Sequence, residues 1–468
     1  MTTLPIPPAG RLFDIAVIGG GVVGCAVIRR AALSGLSVIL VEAAADILAG
    51  ASKGNSAILH TGFDAPEGSD ELELMRAGRT EYLSLRHELN LPLLETGAIV
   101  VAWTAEELQR LEKIAQKGRA NGIDDLVMLS PNDIARREPH LAPAQGGVLV
   151  PGEHVIDPWS SPLAYLRQAL AHGAQFLPSA ALKSASFDGE NWHLDTAAAS
   201  ITARHVVNCA GLFGDEVDFL LTGQRRFSIH PRKGQFAVFD KAAQALVKTI
   251  ILPVPTERTK GVVLCPTVFG NVLIGPTAEE QEDRRRAAVD QATLETLVAT
   301  AGRMLPALAH MPVTAVYAGL RPASERSEYR LFNDPERNLV TVGGIRSTGL
   351  TAALGIAQYV MKALGVALPR ELASPPLSPP MPNLAEHLPR AWQESGRDEI
   401  VCHCEMVTRR EILDALDGPL PARDMGGLKR RTRAGMGRCQ GFYCAARIAH
   451  LTQGRLDPSP VTGPVAHE

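Results

Sequence analysis

Two sets of residues in this chain have types and spacings that do chemistry. Cys402-x-Cys404 and Cys439-x4-Cys444, with 34 residues between the pairs, bring four thiols together in two close couples. Sulfur ligands grouped this way read as a metal site, iron–sulfur or four-cysteine zinc. Cys25, Cys209 and Cys265 stand singly. The second set is Gly19, Gly21 and Gly24, in the order G-x-G-x-x-G, with the acid Glu42 18 residues past the last glycine. The first glycine permits a tight turn, the second lets backbone N–H groups approach a pyrophosphate, and the third lets a helix pack closely on a strand. An acid at this distance can bind a ribose hydroxyl pair. These residue types point to a bound dinucleotide at one end of the chain and a bound metal at the other.

Positioning the glycines takes a strand, a helix and a second strand. Residues 15–18 are an unbroken apolar run, helical spacing continues through Ala31 and Leu33 with Gly35 placed to end it, and residues 38–41 are apolar again. That is the pattern of a buried parallel sheet. Thr104 with Glu107, and Thr408 with Glu411, form capping boxes that predict helices. Asp157-Pro158 predicts another, and one is expected over residues 287–305. Residues 206–211 read as a strand ending in small residues, and residues 339–342 as a strand delivering a glycine-rich loop, 343–350. Between them, residues 235–239, 262–264 and 272–274 are short β-rich segments broken by Gly and Pro, as in an antiparallel or mixed sheet. Residues 369–397 hold many prolines and no periodicity, the composition of a stiff, extended linker before a separate small module.

At 468 residues the chain should make two or three domains at about 150 residues each. A net charge of −3 disfavours general nucleic-acid binding. No apolar run approaches the ~20 residues of a membrane-spanning helix, and the first residues lack a secretory pattern. The chain is therefore expected in the cytoplasm, with peripheral attachment at the inner face of the membrane through a partner left open.

Over residues 14–364 the sequence resembles the flavin-dependent D-amino-acid-oxidase superfamily. The look is closest to the catalytic subunit of anaerobic glycerol-3-phosphate dehydrogenases, with L-2-hydroxyglutarate dehydrogenases next. The residues that carry it are the glycine turn with Glu42, Asn55 to Gly62, Asn208-Cys209-Ala210-Gly211, residues 273–277, Gly319-Leu320-Arg321-Pro322 and Gly344 to Thr351. The resemblance implies FAD. Around it would lie Gly19, Gly21, Gly24, Glu42, Ser52, Asn55, Ser56, Gly211, Gly344, Gly349, Leu350 and Thr351, with Gly349 toward the flavin's pyrimidine edge. Residues 398–453 resemble the [2Fe–2S] domain of bacterioferritin-associated ferredoxins, through Val401-Cys402-His403-Cys404-Glu405 and residues 431–441, closed by Cys444. Cys402, Cys404, Cys439 and Cys444 would then hold the cluster, His403 being a spectator. Basic residues Lys429, Arg430, Arg431, Arg433, Arg438 and Arg447 would offset its negative charge.

The expected fold class is α/β, α+β overall. A Rossmann-like FAD-binding domain (1–90, 145–225, 335–368) would carry an inserted mixed or antiparallel substrate domain (91–144, 226–334). A linker (369–397) and a small helical iron–sulfur domain (398–468) would follow. A flavin accepts a hydride and a cluster carries single electrons, so the pair implies a dehydrogenase feeding an acceptor protein or partner subunit. His60 is the candidate base. Arg321 and Arg346 are candidate clamps for an anionic substrate, with Lys233 and Lys260 ranked below them. Glycerol 3-phosphate is the first-choice substrate and a 2-hydroxy acid the second. Arg346 stands where the glycerol-phosphate type usually has a neutral residue, which keeps a carboxylate open. An amine or imino-acid dehydrogenase, or a non-catalytic electron-transfer flavoprotein, are the alternatives.

Overall fold

A computed structural model describes residues 10–255, 261–366, 377–394, 396 and 398–458. The opening apolar run is the strand Leu12–Ile18, which turns through the glycines into helix Val22–Leu33. Gly35 follows with φ +78, the left-handed conformation that closes a helix. Val38–Val41 is buried throughout and lies parallel to the first strand. Ser200–Asn208 flanks the first strand on its other side, also parallel, and Leu339–Gly343 continues the sheet beyond it. With Gln175–Leu177 and three antiparallel strands this makes an eight-stranded sheet. Helices Asp70–Leu85, Ser160–Ala171 and Gly349–Ala363 pack with Val22–Leu33 over the same core. Two of these helices cross at backbone contact. A Cβ on Gly78 would lie 2.2 Å from the Thr351 carbonyl, and one on Gly355 2.1 Å from that of Leu74.

A second sheet of nine strands is built on Ile229–Phe239 and Val313–Ser324, which pair antiparallel. It runs on through Val272–Gly275, Val263–Pro266 and Ile250–Pro253 to Ala98–Ala102, the last contact being parallel. The mixed sheet is as expected, with altered boundaries. Gly146–Val150 pairs with Ala98–Ala102 and so belongs to the second sheet, whereas Arg330–Asp334 pairs with Leu339–Gly343 in the first. The strand Val313–Ser324 meets the loop at Gly54, where a Cβ on Gly319 would lie 2.4 Å from the Gly54 carbonyl.

The C-terminal module has two short strands, Ile400–Cys402 and Val407–Thr408, and helices Arg409–Asp417, Met425–Thr432 and Ala445–Leu451. Thr408 and Glu411 close the capping box read from the sequence. The stretch before it is not a free spacer. Met381 N–H donates to Leu89 O, and Leu384 and Ala385 are buried in the core of the second sheet. Arg390 donates to Glu405 O. The prolines set the backbone's stiffness, while the apolar side chains between them found a surface to cover, which composition could not show. Residues 369–376, 395 and 397 of that stretch, and Lys260, lie outside the described residues.

A cavity between the sheets and a four-thiol loop pair

A cavity of about 590 Å³ runs from the glycine turn to the glycine-rich loop after Leu339–Gly343. At one end its wall is Gly19, Gly21 and Glu42. Gly19 has φ +108, and a Cβ there would sit 2.4 Å from Cys209 O. Gly24 lies under the turn, where a Cβ would meet Gly19 O at 1.9 Å. It packs rather than lines, as expected of a third glycine. Glu42 accepts from the N–H groups of Gly20 at 2.6 Å and Ala44 at 2.7 Å. Burial pushes its carboxyl above the usual range, opposed by those N–H donors. Ser52 Oγ accepts from Val22 N–H at the helix start. Ser52, Asn55, Ser56 and Gly211 continue the wall, and Gly344, Gly349 and Leu350 complete the far end. The bare backbone of this long wall fits an extended dinucleotide.

Thr351 is not part of that wall. Its Oγ1 accepts from His60 N–H at 3.0 Å, so it supports the strand beneath the site. His60 is likewise not among the lining residues, and its side chain is 26% exposed. Its Nδ1 is 2.9 Å from Glu153 Oε2, and Glu153 Oε1 accepts from Thr61 N–H. Glu153, buried in the turn 151–153, was not singled out from the sequence, because nothing in Pro151-Gly152-Glu153 announces a partner 93 residues away.

The arginine candidates both line the cavity. Arg321 donates to Thr277 O at 3.0 Å, and Gly234 makes room for its guanidinium. Among the described residues it forms no salt bridge, and burial followed by Arg232 pulls it down to about 10 against the opposing charge of Glu280. Arg346 is held 3.5 Å from Glu71, and its Nε is buried without a hydrogen-bond partner. Glu71 also accepts from Thr348, which bonds Tyr329. Lys233 is a correction: it pairs with Glu279 at 3.0 Å and is not among the lining residues. On a strand, its side chain points to the sheet face away from the cavity that Gly234 faces. Phe236 and Arg285 line the cavity and were not foreseen.

The four cysteine thiols meet as Cys402 with Cys444 and Cys404 with Cys439. Among the described residues no group of three or more ligand side chains is arranged around a single ion. The fit to a two-iron cluster rests instead on the two facing pairs and their donors. The N–H groups of Tyr443, Gly441 and Phe442 hold the Cys439 thiol below its usual range. Gly435 N–H points at Cys402 sulfur at 3.4 Å. A Cβ on Gly437 would lie 2.3 Å from that of Cys404, so the two cysteine loops close only over glycine. His403 is exposed. The basic stretch is a further correction. Arg430 donates to Ile47 O, while Arg431 pairs with Asp46, Arg433 with Glu405, Arg438 with Asp240 and Arg447 with Glu399. These cations are bound by oxygen groups of the chain, several in the main body.

Comparison with known proteins agrees with both halves. The model of the FAD dependent oxidoreductase family matches residues 14–363, and that of the BFD-like [2Fe-2S] binding domain matches residues 400–453. A glycerol 3-phosphate dehydrogenase of Caloramator mitchellensis is 31% identical over 457 residues, covering 95% of each chain. A subunit of the anaerobic glycerol-3-phosphate dehydrogenase of Escherichia coli (strain K12) is 26% identical, covering 94% of this chain and 88% of its own. Among solved structures, the dithionite-reduced L-alpha-glycerophosphate oxidase of Mycoplasma pneumoniae with FAD bound superposes with a TM-score of 0.72 at 25% identity, covering 77% of this chain and 97% of its own. No helix among the described residues is long and apolar enough to cross a membrane. Because the first family match takes in both sheets and the second takes in all four paired thiols, the chain belongs to the FAD-dependent oxidoreductase family, as a glycerol-3-phosphate dehydrogenase-like enzyme that also carries a [2Fe–2S] domain.

Proposed function

We propose that the chain oxidises a small anionic secondary alcohol, glycerol 3-phosphate first and a 2-hydroxy acid second, and hands the electrons to an acceptor protein or partner subunit. The observation that carries the reading is Arg321, a largely desolvated guanidinium on the cavity wall that forms no salt bridge among the described residues, Glu280 acting on it only at a distance. A cation left so is stabilised by a bound anion, which its planar fork can take in two parallel bonds. Arg346, partly neutralised by Glu71, adds a weaker second clamp. Bound FAD supplies the hydride acceptor, and the [2Fe–2S] cluster supplies a one-electron carrier. His60 takes the hydroxyl proton, with Glu153 orienting the ring through Nδ1 and stabilising the charge it gains. The relatives' names support the substrate class, and the Escherichia coli relative is itself named as one subunit of its enzyme.

Arg321→Ala should raise KM for the anion roughly ten- to a hundredfold, the worth of a charge-assisted bond, with flavin content unchanged. Arg346→Ala should act in the same direction and less. If neither changes turnover of any anionic substrate, the clamp does not exist. Glu42→Gln should weaken FAD retention and leave KM alone, since the acid is assigned to the ribose. Normal FAD content with a raised KM would undo that assignment.

Anaerobic bleaching of the flavin by a substrate panel tests the reaction class. Glycerol 3-phosphate or a 2-hydroxy acid should bleach it. Bleaching by amines alone would move the chain to C–N oxidation, and silence throughout would leave an electron-transfer flavoprotein.

A further inference from the structure

The C-terminal module does more than sit beside the flavin domain. Asp46 lies in the loop that follows Glu42, and its carboxylate receives both ends of the Arg431 guanidinium, at 2.7 and 2.9 Å. The side chains are 0% and 7% exposed, so this is a buried pair. Arg430, one residue earlier on the same helix, donates to Ile47 O at 3.0 Å. Gly427 is pressed against the same carboxylate, since a Cβ there would come within 1.9 Å of Asp46 Oδ2. From this loop the contacts pass to the dinucleotide turn. Leu48 N–H donates to Gly20 O at 2.9 Å, and Gly20 N–H donates to Glu42. A Cβ on Gly20 would meet Ile47 Cγ2 at 2.9 Å, so loop and turn are in van der Waals contact.

We infer that Arg431 is a positioning residue for FAD: docking of the iron–sulfur module clamps the loop after Glu42 and thereby sets the glycine turn that receives the cofactor's ADP half. The physical reason lies in the cost of the buried pair. Without Arg431, Asp46 keeps the N–H groups of Ile47 and Arg423 and the nearby charge of Arg430 but loses its paired cation, and the loop relieves the buried carboxylate by opening toward water. Opening it takes away the bonds that hold Gly20 and Glu42 in place. Binding linkage is reciprocal, so FAD in turn holds the module docked. A chain whose module has not assembled its cluster would then also hold FAD weakly, which couples the loading of the two cofactors.

The test uses the full chain carrying its cluster. Arg431→Gln should keep the [2Fe–2S] absorbance while the FAD dissociation constant, measured by flavin fluorescence on reconstitution, rises by about 5- to 150-fold. Arg447→Ala, which breaks a surface pair with Glu399 within the module, should leave that constant unchanged. An Arg431→Gln chain that retains its cluster and binds FAD with the parent's affinity overturns the inference. A second measurement needs no variant. Hydrogen exchange of the unaltered chain, with and without FAD, should show slower exchange over Met425–Thr432 when FAD is bound, although the cavity lining includes none of that helix. Equal exchange there in both forms overturns it as well.

Discussion

Replacing His60 by glutamine should lower kcat by roughly 10²- to 10⁴-fold, the usual loss when a general base is removed. Glutamine keeps a similar length and can still meet Glu153 from its amide, so the strand supported by Thr351 should stay in place. Flavin content and KM for the anion should hold, because Arg321 and the cavity wall are untouched. Glu153→Gln should lower kcat less, again without moving KM, since it acts on the ring through Nδ1 rather than on substrate. The rate of anaerobic flavin bleaching by saturating substrate reads both variants. A His60→Gln chain that bleaches at the parent's rate removes this residue from the chemistry.

Changing Cys439 to Ser should abolish transfer to one-electron acceptors altogether. It removes the sulfur toward which three backbone N–H groups converge. The module's own core is small, built around residues such as Val407, Ile412, Leu428 and Ile448. Metal binding in so small a unit is folding energy, so losing the cluster should unfold it. The sequence alone suggested that the flavin domain would be indifferent to this, beyond a stiff linker. The contacts of Arg431 with Asp46 and of Arg430 with Ile47 O lead us to expect the opposite, because both are lost if the module unfolds. Iron content, acceptor reduction and FAD content should therefore fall together. Retained acceptor reduction without iron would show that the cluster is not the relay.

What was legible in the sequence was local. The glycine turn, the two cysteine pairs and the capping boxes each announce themselves within a few residues, because a turn, a chelate or a cap is made by near neighbours. Arg321 and Arg346 were reached through segments that resemble the family's, Arg321 lying on the strand Val313–Ser324 and Arg346 in the loop after Leu339–Gly343. What was missed was made by distant contacts. Arg431 meets Asp46 across 385 positions and His60 meets Glu153 across 93, and no local pattern encodes either. Lys233 failed as a candidate for the same reason: Glu279, on the neighbouring strand, claims it. The proline-rich stretch misled because stiffness says nothing about where Met381, Leu384 and Ala385 find cover.

Rapid anaerobic mixing of the fully loaded chain with glycerol 3-phosphate, followed by flavin absorbance and by EPR of frozen samples, tests the central reading most directly. The expected result is loss of the flavin band together with a spin-half signal from the [2Fe–2S] cluster at about two irons per chain. An unchanged flavin band with glycerol 3-phosphate and with 2-hydroxy acids, or bleaching with no cluster signal and zinc in place of iron, would contradict it.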